Sequence, residues 1–188
     1  MRKTLTISLI PIITVVMVYY LVSYVGIQGF LFAWILNFML MMCVFIFTET
    51  LKPELQSDYY NQKRWERKGK IYESLGINIF RKLLVWAGWE KLNKKANPVE
   101  KNSKALIHLE YRTRQSEFGH LIIFFIVMGF NIYNALKFGI AASLWLLVLN
   151  IVLNLYPVFL QRYNRPRLKR AIDLSIHRER VHASVSSQ

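Results

Sequence analysis

Cysteine is almost absent from this chain of 188 residues. The single one, Cys43, lies inside an apolar stretch, so one chain offers neither a disulfide framework nor a thiolate metal site. Acidic residues are few, 11 against 25 lysines and arginines, and the net charge is +14. Familiar catalytic signatures are missing. There is no Gly-x-Ser-x-Gly, no nucleotide-binding glycine loop, no His-Glu-x-x-His and no His-x-x-x-x-Asp. No metal or cofactor is expected.

What the chain has is apolar length. Apolar and aromatic residues make up 54% of it, yet 19% are charged, which suits a small membrane protein with an aqueous-facing portion. A helical span needs about 20 apolar residues. Four stretches qualify, at about Leu5–Val25, Phe30–Thr48, Leu121–Leu136 and Ile140–Leu160. The first follows Arg2-Lys3, as a signal peptide would, but its run is too long and no small-x-small cleavage site follows. Tyr19, Tyr20 and Tyr24 near its far end resemble an interfacial aromatic belt. The expectation is an all-α integral membrane protein, one membrane domain over residues 1–188, with four helices as two hairpins. One hairpin turns near Gly26 and Gly29, the other near Lys137-Phe138-Gly139.

Charge sets the orientation. Residues 49–119 hold fifteen basic and nine acidic side chains, and the tail from Gln161 holds seven and two. Arg2, Lys3 and Lys137 supply the rest, and both hairpin turns are nearly uncharged. The positive-inside rule then places both termini and the central segment on the cytoplasmic side of the cell membrane. Such a face attracts anionic headgroups. Nucleic acid is the poorer partner, because the cations flank apolar spans.

The central segment is no spacer, since spacers are rich in Gly, Ser and Pro and this one is rich in aromatics and cations. Lys52-Pro53-Glu54 breaks span two. Further on, Ile79, Leu83 and Trp86 share a helical face with Phe80 and Leu84 beside it and Arg81 and Lys82 off it. That pattern suits an amphipathic helix in the membrane interface. Asn93 to Lys104, with Asn97-Pro98, reads as an exposed loop.

Several polar groupings stand out. Glu117-x-x-His120 puts a carboxylate and an imidazole on neighbouring turns, where the first can orient the second as a general base. Asn131 and Asn134 continue that face within roughly 100° of arc. Asn150, Asn154 and Gln161 form a second stripe on span four. Either stripe serves equally well as glue between helices. Glu66, in Trp65-Glu66-Arg67-Lys68-Gly69, is suited to binding a group, to pairing with an arginine, or to interfacial anchoring. His108, Glu110, Arg112 and Arg114 read as a solvated helix face. Span four runs directly into Gln161-Arg162-Tyr163-Asn164-Arg165-Pro166-Arg167-Leu168. Its arginine forks match carboxylate and phosphate oxygens, and its proline is expected to fix the backbone just past the helix.

That block, with Asn154 and Pro157 upstream, resembles the C-terminal part of the glycosyl-4,4'-diaponeurosporenoate acyltransferase family, which performs the last, acylating step of staphyloxanthin synthesis. The resemblance takes in Glu66-x-x-Gly69-Lys70, Arg81-Lys82 and Thr113-Arg114-x-x-Glu117-x-x-His120, and runs from Trp65 to Arg180. It implies acyl transfer from an activated donor, an acyl-CoA or acyl-carrier protein, to a hydroxyl of a membrane-embedded glycolipid. The residues admit roles in that chemistry. His120 would deprotonate the acceptor and Glu117 would orient it. Arg162, Asn164, Arg165 and Arg167 would face the oxyanion and donor phosphates. Gln161, Asn154, Asn150, Asn131, Glu66 and Arg81 would complete substrate binding, and Phe80, Trp86 and Trp89 would hold an acyl chain. The competing class is a non-catalytic membrane subunit that binds lipid or a larger protein. A homo-oligomer also stays open.

Overall fold

The computed structural model describes residues 2–88 and 102–186. Trp89 and most of the Asn93–Lys104 stretch lie outside them. Among the described residues the regular structure is all helical, and four of the helices are long and apolar enough to cross a membrane. Helix α1 is Arg2–Val25 and α2 is Gly29–Leu51. Two 3-10 turns follow, Asp58–Tyr60 and Arg64–Gly69, then the short helices α3, Lys70–Ser74, and α4, Ile77–Trp86. Helix α5 is Ser103–Phe138, so the expected loop ends sooner than Lys104. Asn102 Oδ1 accepts the Ala105 N–H and caps that start at 2.7 Å. Helix α6, Ile140–Asn150, passes through a π turn, Ile151–Leu155, into α7, Tyr156–Ser186.

The expected breaks occur where backbone chemistry requires them. Gly26 and Gly29 both adopt φ +83°, which lets the chain reverse between α1 and α2. Lys52 takes the left-handed conformation at the end of α2, and its N–H returns to the Thr48 carbonyl. Pro166 departs from expectation, because α7 continues through it to Ser186. A proline inside a helix removes one N–H and crowds one carbonyl. The side-chain bonds from Arg162, Arg165 and Arg167 described below hold this stretch in place.

The chain divides into two compact units, Met1–Glu54 with Gln115–Val158 and Leu55–Arg114 with Phe159–Gln188. In the first, α1 packs on α2 and α2 on α6. Phe32, Ala33, Leu36, Leu40, Ile123, Val127 and Leu146 form its apolar centre. Only 6% of the apolar window of α1 is buried, against 39% for α2. An outer helix showing Ile12, Val15, Val16 and Tyr19 to its surroundings suits hydrocarbon as the solvent. Lipid removes the hydrophobic drive for helices to associate, so packing and polar contacts must hold them. The buried Asn37, Asn131, Ser143, Asn150 and Asn154 supply such contacts. The second unit is centred on Leu55, Tyr60, Tyr72, Ile77, Phe80, Leu106 and Ile172. Glu179 closes the start of α5 there, accepting the Ser103 N–H at 2.8 Å and its hydroxyl at 2.7 Å.

Candidate functional site

In the first unit the candidate site begins with a proline. Pro157 has no N–H to give to the Leu153 carbonyl four residues back. Beside that missing bond the helix widens into the π turn, with the Tyr156 N–H reaching the Ile151 carbonyl five residues away. Leu153 lies in this turn, which faces the His120 ring. The next residue, Asn154, is fully buried and faces the same ring. Its Nδ2 donates to Asn37 Oδ1 at 2.7 Å and to Asn150 Oδ1 at 2.9 Å. Those two bonds fix the amide so that Oδ1 faces His120 Nδ1, 3.4 Å away. An amide oxygen only accepts, so Nδ1 is the nitrogen that carries a proton in this arrangement. Asn150 Nδ2 donates to the Phe124 carbonyl at 3.0 Å, and Asn37 Nδ2 to the Ala33 carbonyl at 2.8 Å. The ladder therefore joins α2, α5 and the α6–α7 helix through neutral amides alone.

Asn37 was not anticipated from sequence. The signal was one polar side chain in the apolar run of span two. His120 is partly accessible, and its hydrogen-bond partner is Asn154. Glu117, one turn before it, is fully buried. Asn131 donates to the Ser143 carbonyl at 2.8 Å and ties α5 to α6. Asn134 donates to the Phe130 carbonyl of its own helix at 3.1 Å.

In the second unit the arginine block is built into the fold. Glu66 is almost fully buried and accepts the Arg162 guanidinium at 2.9 Å, the Tyr72 hydroxyl at 2.6 Å and the Lys63 N–H at 2.6 Å. Burial alone would raise its pKa. The hydrogen bonds from Tyr72, Lys63 and Arg162 outweigh burial and hold the carboxyl below its ordinary value of 4.5. Burial and the Glu66 carboxylate together raise the Tyr72 phenol. Arg162 also donates to the Tyr59 carbonyl at 3.0 Å and lies over the Tyr59 ring at 4.4 Å. Arg165 reaches the Tyr60 carbonyl at 3.1 Å. Arg167 reaches the Tyr163 carbonyl at 2.7 Å and Glu73 at 3.3 Å, 3.8 Å over the Tyr163 ring.

Backbone geometry explains why glycine follows Glu66 by three. Arg67, Lys68 and Gly69 are left-handed in succession, with φ of 47°, 56° and 90°. A Cβ at Gly69 would lie 3.2 Å from the Tyr163 carbonyl oxygen and 3.5 Å from Arg167 Nη1. Glu66-x-x-Gly69 and Arg162 to Arg167, distant in sequence, thus form one interlocked piece. Arg81 lies over the Tyr163 ring at 5.6 Å. Gln161 and Asn164 are half-buried on α7. Arg114, expected on a solvated face, is partly buried. It bonds Glu110 and the Leu55 carbonyl because the unit's own backbone supplies an acceptor there. Among the described residues no cluster of His, Cys, Asp or Glu suits a metal ion.

No curated protein and no solved structure matches the chain. The family model described as CrtO, glycosyl-4,4'-diaponeurosporenoate acyltransferase, matches residues 56–174. That range takes in Glu66, Gly69, Arg81, Glu117, His120, Asn154 and the whole arginine block. The chain therefore belongs to the glycosyl-4,4'-diaponeurosporenoate acyltransferase family, whose members are acyltransferases acting on a glycosylated carotenoid.

Proposed function

We propose that the protein transfers a fatty acyl group from a thioester donor, an acyl-CoA or acyl-carrier protein, to a sugar hydroxyl of a glycosylated carotenoid or a similar membrane lipid. Support comes from the family match and, above all, from the way His120 is held. With the proton on Nδ1 against Asn154, a neutral ring has its lone pair on Nε2. Nε2 takes the hydroxyl proton as the oxygen attacks the thioester carbonyl. The carbon–sulfur bond then breaks, and the thiolate leaves with that proton. The fully buried Glu117 acts on the histidine or on the developing charge. A membrane span is a fitting place for an acceptor that is itself dissolved in lipid.

Arg162, Arg165 and Arg167 are given a positioning role first. Each holds an acceptor within its own unit, and any contact with donor phosphates is made from that anchored geometry. Gln161, Asn164 and Arg81 in the second unit, and Asn150 and Asn131 in the first, are proposed as further substrate-binding residues of their own units. Both termini and residues 49–119 are proposed to be cytoplasmic, as the charge distribution requires. The test is transfer of labelled acyl groups by purified protein in lipid nanodiscs, with a glycosylated carotenoid offered as acceptor. Ester formation by wild type and its loss in a folded His120→Ala variant support the reading. Folded wild type that forms no ester with any glycolipid acceptor supports the non-catalytic subunit instead.

A further inference from the structure

Helix α4 is apolar on two opposite sides, and only one of them is used inside the protein. Ile77 and Phe80 are buried and Leu84 is half-buried, so these three face the interior of the second unit. At 100° per residue, Ile79, Leu83 and Trp86 point the other way. They are 68%, 53% and 88% exposed. Water is a poor environment for such a stripe on a helix of ten residues. Lys82 borders it and is exposed. From Asn61 to Trp86 the chain carries seven basic and two acidic residues. Arg64, Arg67, Lys68 and Lys70 are all exposed, while Glu66, one of the two acids, is already held by Arg162. Leu75 and Trp65 add exposed apolar surface.

We infer that α4 is an in-plane anchor that inserts Ile79, Leu83 and Trp86 into an anionic leaflet, with Lys82 and the preceding cations at the phosphates. The chemistry selects lipid because an apolar stripe bordered by cations complements acyl chains below anionic headgroups. The same chain carries four helices long and apolar enough to cross a membrane, which would bring a bilayer within reach. Phe80, turned inward, belongs to the core of the unit and not to this contact. The inference does not depend on the acyltransferase reading.

The test uses the full chain with Cys43→Ser in nanodiscs and one reporter cysteine at a time, Ile79→Cys, Leu83→Cys or Gln56→Cys, carrying a small fluorophore. Gln56 is exposed and lies outside the stripe. Nitroxide on the upper acyl chain should quench the labels at 79 and 83 about threefold more than the label at 56, in keeping with burial about 5–10 Å below the headgroups. Replacing anionic by zwitterionic lipid, or Lys82→Ser with Lys70→Ser, should lower that quenching. Equal lipid quenching at all three positions overturns the inference. So does protection of 79 and 83 from lipid and water quenchers together with self-quenching between labelled copies, which would mark a protein interface instead.

Discussion

The two units bury polar groups in opposite ways. The first uses neutral amides, Asn37, Asn131, Asn134, Asn150 and Asn154, with backbone carbonyls and one imidazole as partners. The second uses charge, with Glu66 between Arg162 and Tyr72 and arginines laid over tyrosine rings. Apolar surroundings favour that choice in the first unit, whose helices are apolar enough to cross a membrane. A charged side chain at membrane depth is costly, whereas an amide satisfied by another amide is cheap and directional. Outside the hydrocarbon, an ion pair with every oxygen bonded can fix two distant segments together. The exception is instructive. Glu117 is a fully buried carboxylate in the amide-rich unit, where structure alone favours neutral groups. That is why it stays in the proposed catalytic set.

The comparison can be broken first at its ionic end. Glu66→Ala leaves Arg162 and Tyr72 facing an empty site and should cost about 3–5 kcal/mol. Thermal unfolding in detergent would register this, and Arg162→Ala combined with it should add little. Acid should do the same reversibly. Because the folded Glu66 pKa is depressed, its stabilisation is complete above the unfolded value near 4.5 and disappears as pH falls through the lower folded value. An acid-unfolding curve that is unchanged in Glu66→Gln would count against this. Gly69→Ala combines a left-handed backbone with a 3.2 Å approach to the Tyr163 carbonyl, and should cost about 1–3 kcal/mol in the same melt. At the amide end the effects are smaller. Asn154→Ala leaves Asn37 and Asn150 short of a donor, and should lower stability by about 1–2 kcal/mol while reducing acyl transfer. Asn131→Ala, which removes one bond between α5 and α6, should cost about 0.6 kcal/mol in the same melt.

Much of the fold was legible because hydrocarbon imposes simple rules. Apolar length gave the spans, and Gly26, Gly29, Lys52-Pro53 and Gly139 marked where helices end. Glu66-x-x-Gly69 was legible as a motif, but neither its left-handed backbone nor the Tyr163 carbonyl that approaches it was. The arginine block was harder. A sequence displays donors but not the acceptors waiting for them, and here the acceptors are carbonyls of Tyr59, Tyr60 and Tyr163, which no side-chain pattern reveals. Pro166 was read as lying past the helix because proline usually stops one, whereas Pro157 proved the proline with the larger consequence, through the π turn beside His120. Asn37 went unnoticed because Asn154, the side chain it accepts from, lies 117 residues away, and periodicity carries no information at that range.

The most direct measurement is the rate of acyl-ester formation on a glycosylated carotenoid by purified wild type and by His120→Ala, with the two proteins matched by thermal melt. The account predicts measurable transfer by wild type and a loss of about 10²–10⁴-fold in the variant. A folded His120→Ala protein that transfers at the wild-type rate would contradict it.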